Sequence, residues 1–352
     1  MFDLVLVGYG NVAKRLVSLI EERADEWRCE FGVLPTVIGI ATRRDGPRYL
    51  RAEFGRTRAT TALEFIREAC RRDRRAARDA SLVVVETTTL DVQRGQPAID
   101  HVRAALAGGA HVITANKGPA AFAYRRLARA ADRAGRRFLF ESAVMDGVPI
   151  FNLVRETLPI VSVTGFRGIV NSTTNYILTA MERGQRFDAA LAEMQARGIA
   201  EADASLDVDG WDAAAKTAAL ANVLMDARIT PHDVTREGIS PATGAAALAA
   251  AASGRRLKLV VRAEFERSRG VAARVAPEAL PADDPLASVE GQQNALLLQT
   301  DLLDEIAIVQ RGGTLTHTAY GLLSDLITIA RARRRERTSG RRRRSPSRRD
   351  RR

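Results

Sequence analysis

Residues 2–24 read "FDLVLVGYGNVAKRLVSLIEERA", and this stretch decides the fold. Phe2 to Val7 is an apolar run broken only by Asp3, as expected for a strand covered on both faces. Gly8-Tyr9-Gly10-Asn11-Val12-Ala13 follows, a G-x-G-x-x-A turn. Beyond it Val12, Leu16, Leu19 and Ile20 recur at helical spacing. Gly8 permits a tight turn, Gly10 lets the backbone approach a pyrophosphate, and Ala13 allows the helix to pack closely on the strand. A helix opening at Asn11 and Val12 presents free N–H groups to an anion. Strand, glycine turn and helix in that order predict dinucleotide binding.

Moving outward, "TVIGIAT" (36–42), "SLVVVETT" (81–88), "HVITAN" (111–116) and "RFLFES" (137–142) read as further strands. Helical stretches separate them, among them "PAIDHVRAALAGG" and "FAYRRLARAADRAG". Repeated β-α-β units imply an α/β fold with a Rossmann-type, doubly wound parallel sheet over residues 1–146. The rhythm changes near 147. "VPIFNLVRETL", "STTNYILTAMERG" and "FDAALAEMQARG" read as helices, and "VSVTGFRGIVN" as a strand pair or a strand with a glycine bend. An α+β domain is expected over 147–310, then a helix at 311–330 returning to the first domain.

The net charge of +12 suggests a nucleic-acid partner until its distribution is examined. Residues 331–352 hold 13 arginines against Glu336 and Asp350, a net of +11, which leaves about +1 for residues 1–330. The body is therefore near neutral. The Arg-rich tail has almost no apolar surface to bury and is expected to be disordered. It could touch RNA, DNA or another anionic surface, but it does not define the main function. No apolar run approaches the roughly 18 residues a membrane helix needs. Cys29 and Cys70 suit reduced thiols, and no signal peptide is evident, so a cytoplasmic protein is expected.

Cofactor choice is read after the second strand. There "IATRRDG" places Arg43 and Arg44 where a dinucleotide enzyme using NAD usually has an acid. Arginine accommodates a 2′-phosphate, which favours NADP over NAD, although Asp45 could fold back toward the ribose. Thr87 and Thr88 end one strand, and Asn116 and Lys117 end another. This is the carboxyl edge at which open α/β sheets bind ligands.

A second stretch stands out. Residues 201–216 read "EADASLDVDGWDAAAK" in a chain whose only lysines are Lys14, Lys117, Lys216 and Lys258. Asp212 and Lys216 are four apart and share a helical face. The ordinary reading is an exposed ion pair worth about 0.3–0.5 kcal/mol. Lysine scarcity and the acidic residues upstream argue instead for chemistry. Lysine can give up a proton when its surroundings shift it, and arginine cannot near neutrality.

Seven ordered segments now carry a family resemblance: "GYGNVA", "VVVETT", "GAHVITANKGP", "ESAVMDGVPIF", "NSTTNYILTAM", "GIAEADASLDVDGWDAAAKTAAL" and "RGGTLTHTAYGLLSDL". Over residues 2–330 the chain resembles homoserine dehydrogenase, without the ACT or aspartokinase domains some relatives carry. That resemblance implies NAD(P)H-dependent interconversion of L-aspartate 4-semialdehyde and L-homoserine by a homodimer. Glu201 and Asp207 match carboxylates that meet the substrate's amino group. Asp212 faces the substrate, Lys216 is the favoured proton donor, and Lys117 is the second active-site lysine. Thr173 lines the substrate pocket, and Gly313 and Thr318 mark the closing helix's return to the cofactor. Glu141, Val144 and the backbone near Asp146 match a site for Na+ or K+. Relatives often have Gly-Gly where this chain has Met145-Asp146, and Gly where it has Ser172. A related dehydrogenase acting on another small amino-acid-like carbonyl or hydroxy compound is the alternative.

Overall fold

A computed structural model describes residues 2–75, 81–197, 200, 203–266 and 270–344. The first part alternates as expected: β1 (Phe2–Val7), α1 (Asn11–Glu22), α2 (Ala24–Phe31), β2 (Pro35–Thr42), β3 (Gly46–Tyr49), α3 (Ala62–Arg75), β4 (Ser81–Glu86), α4 (Ala98–Ala107), β5 (His111–Thr114), α5 (Gly118–Ala134) and β6 (Phe138–Leu139). These strands form one sheet in the order β3-β2-β1-β4-β5-β6, parallel except for β3. The doubly wound expectation holds.

Burial explains the unbroken apolar sequence of β1. Phe2, Leu4 and Leu6 pack on one face with α1 residues Leu16, Leu19 and Ile20. Val5 and Val7 face the opposite core with Phe65, Val102 and Leu127. A strand buried on both sides cannot alternate polar with apolar.

The remainder comprises α6 (Ile150–Asn152), β7 (Val163–Ile169), α7 (Ser172–Glu182), α8 (Phe187–Ala196), α9 (Ser205–Val208), α10 (Trp211–Leu224), β8 (Thr235–Arg236), α11 (Thr243–Ala252), β9 (Arg255–Glu266), β10 (Gly270–Pro281), β11 (Asn294–Thr300), β12 (Glu305–Gln310) and α12 (Leu315–Arg344). Its sheet runs β12-β11-β7-β9-β10-β8 and is antiparallel apart from the short β8–β10 pair. The stretch "VSVTGFRGIVN" forms the single strand β7, not a strand pair. "VPIFNLVRETL" is helical but irregular, with α6 widening into a π-turn over Leu153–Thr157.

Helix α12 crosses back to the first sheet. Ala319, Leu322, Leu323, Leu326 and Ile329 join the β1–α1 core. The tail departs from expectation: α12 does not stop at 330 but continues to Arg344. Arginine is a good helix former, so a helix already seeded on a core extends through it cheaply. Arg331 meets Glu30 at 3.3 Å, and Arg334 donates to the Glu30 carbonyl at 2.8 Å, tying the first tail turns to α2. Residues 345–352 lie outside the described residues. No described helix is long and apolar enough to cross a membrane.

Candidate active site

The cofactor end is built from backbone. Gly8 has φ +86°, and a Cβ there would stand 2.7 Å from the Thr87 carbonyl oxygen, so no larger residue fits. This contact fastens the ends of β1 and β4, where Thr87 N donates to Val7 O at 2.8 Å. Gly10 caps α1 without a side-chain hydrogen bond, no acid lies in the first turn, and the space a Cβ would take is open. The N–H groups of Asn11 and Val12 therefore open a helix whose positive end is free for a phosphate. The donor set fits a dinucleotide.

Other candidates at this end are partly committed elsewhere. The Thr87 hydroxyl donates to Gly8 O at 3.1 Å, and the Thr88 hydroxyl donates to the buried Glu86 carboxylate. Arg43 and Arg44 follow β2, both exposed. Asp45 turns back into its own loop: its N–H donates to the Thr42 hydroxyl at 2.9 Å, and its carboxylate accepts from that hydroxyl at 3.2 Å. Asn116 joins two strand ends by donating to Thr88 O at 3.0 Å, which sets Lys117 at the start of α5.

The substrate end is built from side chains that converge on Asp212. Gly210, at φ +77°, turns the chain into α10 and places Asp212 in its first turn. One carboxylate oxygen of Asp212 lies 3.0 Å from Lys117 Nζ and the other 2.9 Å from Lys216 Nζ. Lysines from the two sheet domains thus share one carboxylate. Lys216 also donates to the Val170 carbonyl at 2.6 Å. All three side chains are largely enclosed, with 14–18% of each exposed.

Asn171 is a participant the sequence reading missed. Its Nδ2 donates to Asp207 at 2.7 Å and to Asp212 at 3.0 Å, while its Oδ1 accepts from Thr174 N at 2.9 Å and caps α7. The cap was legible, since Asn before Ser-Thr-Thr is an N-cap signal. The grip on two distant carboxylates was not. Thr173 is buried beside the same pair, and its hydroxyl helps to steady Asp207. Glu201 lies outside the described residues.

Electrostatics separate the two aspartates. Burial and then the neighbouring Asp212 charge raise Asp207 above the ordinary carboxylate range. Burial would also raise Asp212, but Lys117 and Lys216 on either side overcome it and hold that carboxyl well below its usual range. Burial alone would lower Lys216, yet its pairing with Asp212 leaves it above an ordinary lysine. Lys216 is therefore protonated at neutral pH, ready to donate but tightly held.

Between the two ends runs the crossing segment. Glu141, 2% exposed, accepts from Phe151 N at 2.8 Å and Asn152 N at 2.7 Å; burial outweighs these bonds and pushes it up to about 7. Its own N–H donates to the fully buried Asp325 of α12 at 2.9 Å. Val144 is buried beside it, and Asp146 adopts φ +49°. Among the described residues no ion pair neutralises Glu141, and no three Asp, Glu, His or Cys side chains gather as a metal set. The Glu141 carboxylate is met by main-chain N–H groups and lies near a second buried carboxylate, Asp325. Gly313 lies so close to the Asp146 carboxylate that a Cβ there would push it aside, and Thr318 donates to that carboxylate at 2.9 Å. An open cleft of about 560 Å³ adjoins Gly313, lined also by Tyr176, Arg197, Arg311 and His317, but neither Lys117 nor Lys216 lines it.

Residues 8–141 match the homoserine dehydrogenase NAD-binding domain, and residues 149–327 match the homoserine dehydrogenase domain that follows it. The chain belongs to the homoserine dehydrogenase family. It is 35% identical over 342 residues to the NAD(+)-dependent homoserine dehydrogenase of Pseudomonas canavaninivorans, covering 93% of this chain and 96% of that protein. The homoserine dehydrogenase of Methanocaldococcus jannaschii is also 35% identical, over 345 residues, with 93% and 98% covered. Among solved structures, a putative homoserine dehydrogenase from Archaeoglobus fulgidus superposes with a TM-score of 0.79 at 30% identity, covering 94% of this chain and 99% of that one. Membership in the homoserine dehydrogenase family makes the chain an NAD(P)-dependent oxidoreductase of amino-acid biosynthesis acting on a CH–OH group.

Proposed function

We propose that this chain reversibly reduces L-aspartate 4-semialdehyde to L-homoserine, with Lys216 as the proton donor to the carbonyl oxygen. The observation that carries this reading is the shared carboxylate, with Lys117 and Lys216 both within 3.0 Å of Asp212. Bound NAD(P)H supplies the hydride, and Gly8, Gly10, Asn11 and Val12 are the residues that would hold its pyrophosphate.

The protein's part is positional and electrostatic. Developing charge on the aldehyde oxygen offers Lys216 a stronger base than Asp212, so the proton moves outward only as the C–H bond forms. Lys117 stays as a second cation at the same place. Asp207, Glu201 and Asp212 supply the carboxylates that an α-ammonium group requires, and Thr173 borders them. In the reverse direction the alcohol proton passes to Lys216 in its neutral form, the state the forward step leaves behind.

Finer features follow the same reading. Arg43 and Arg44 favour NADP over NAD, because two exposed guanidiniums beyond β2 suit a 2′-phosphate. Gly313 and Thr318 close over the cofactor from the start of α12. Glu141, Val144 and the Asp146 backbone hold Na+ or K+. The enzyme works as a cytoplasmic homodimer, and the Arg-rich tail takes no part in the reaction.

The test is a steady-state assay with L-aspartate 4-semialdehyde, run with NADPH and with NADH. Turnover with lower KM for NADPH is expected. No turnover with either cofactor contradicts the reading.

A further inference from the structure

Asp146, beside the β12–α12 loop, and Ser172, at the start of α7, lie on one chain of hydrogen bonds. Asp146 occupies the left-handed region at φ +49°, where glycine is free and aspartate is among the few tolerated alternatives. Its Oδ1 accepts from Thr318 Oγ1 at 2.9 Å and its Oδ2 from Gln310 Nε2 at 2.9 Å. Gln310 Oε1 in turn accepts from Asn294 Nδ2 at 3.1 Å, and that same amide donates to Ser172 Oγ at 2.9 Å. Ser172 opens α7 directly after Asn171, whose amide holds Asp207 and Asp212.

The relay has a direction. Gln310 turns its NH2 to the Asp146 carboxylate, which leaves its oxygen to face Asn294. Asn294 then presents its NH2 to both Gln310 and Ser172. Gln310 and Asn294 are each 5% exposed, and Asn294 Oδ1 is buried without a partner among the described residues. Burying polar amides in this way is costly unless their placement does something that an apolar pair could not.

One end of the relay fixes the loop that carries Gly313 and the first turn of α12. The other end adjoins the carboxylates of the substrate site. We infer that Asp146, Gln310 and Asn294 are positioning residues that couple cofactor binding at the β12–α12 loop to substrate binding at Asp207 and Asp212. Ordering of the loop by cofactor fixes Asp146, and through Gln310 and Asn294 it fixes the start of α7. Linkage requires the converse as well, so substrate must tighten the cofactor by the same factor. This inference rests on the homoserine dehydrogenase reading.

The experiment is calorimetric titration of the whole enzyme with L-homoserine, without cofactor and then with saturating NADP+ (NAD+ if the assay prefers it). In the wild type the cofactor is expected to tighten homoserine binding about 5-fold or more. Gln310→Leu breaks the middle of the relay, and Ser172→Gly removes the hydroxyl at its far end without burying anything new. Each should bring that factor close to 1 while changing cofactor affinity alone by less than about 3-fold. If Gln310→Leu does not fold, Ser172→Gly carries the test. An unchanged coupling factor in the variants, or no coupling in an active wild type, overturns the inference and leaves the assigned reaction standing. A wild type that neither binds nor turns over homoserine overturns both.

Discussion

The two ends of the crevice are made by different means. At the cofactor end one continuous turn, Gly8 to Ala13, offers main-chain N–H groups, and its partner contact is the β4 edge at Thr87. At the substrate end Lys117 arrives from α5, Asn171 from the start of α7, Asp207 from α9, and Asp212 and Lys216 from α10. A backbone site is specified by a few adjacent residues and should fail by strain. A side-chain site is specified by the whole fold and should fail by loss of charge balance and proton supply.

The largest break in this comparison is Lys216→Ala. We expect kcat to fall about 10²–10⁴-fold, the usual worth of a positioned acid, while the dissociation constant for the cofactor stays within about 2-fold. A matching loss of cofactor affinity would merge the two ends into one unit.

Asp212→Asn comes next. It leaves Lys117 and Lys216 enclosed together without their counter-charge, and unfolding in urea should show a loss of roughly 3 kcal/mol. The pH dependence has a definite sign. Asp212 is held below its unfolded value, so its contribution is complete above about pH 4 and fades as pH falls through and below that value. The Tm gap between wild type and variant should therefore be widest near pH 7 and close below about pH 4. A gap that widens on acidification would contradict the charge arrangement.

Gly8→Ala probes the other end. Positive φ and the Thr87 carbonyl together predict about 1–3 kcal/mol of destabilisation and weaker cofactor binding, with the chemical step of the bound complex largely preserved. The smallest effect is at Arg43. A charge-assisted contact at so exposed a position is worth about 1 kcal/mol, so Arg43→Ala should raise KM for NADPH about 5-fold and leave KM for NADH unchanged. Equal effects on both cofactors would remove the 2′-phosphate assignment.

The same contrast explains what could be read from the residues alone. The strand-glycine-helix start was legible because its cause is local: covered strand, tight turn, open helix end. Lys117 and Lys216 were singled out through the scarcity of lysine and their placement at a sheet edge and below an acidic loop, and the structure brings both to Asp212. Scarcity by itself does not discriminate, for Lys14 lies over the Tyr9 ring and Lys258 is fully buried in β9, where burial depresses its amine. Asn171 escaped because its partners are 36 and 41 residues away in the chain. Asp146 could be marked as a departure from the family pattern, yet Gln310 and Asn294 carry no local signal linking it to Ser172. The tail was misread as far as Arg344 because composition registers the lack of a core but not a helix already anchored upstream.

The central claim is that Lys216 supplies the proton. Single-turnover reduction of L-aspartate 4-semialdehyde by Lys216→Arg tests it most directly, because arginine keeps a positive charge facing Asp212 but does not release a proton near neutrality. Hydride transfer slowed about 100-fold or more, with cofactor affinity retained, is the predicted result. A rate close to wild type would contradict it, and the shared carboxylate would then serve to position charge rather than to move a proton.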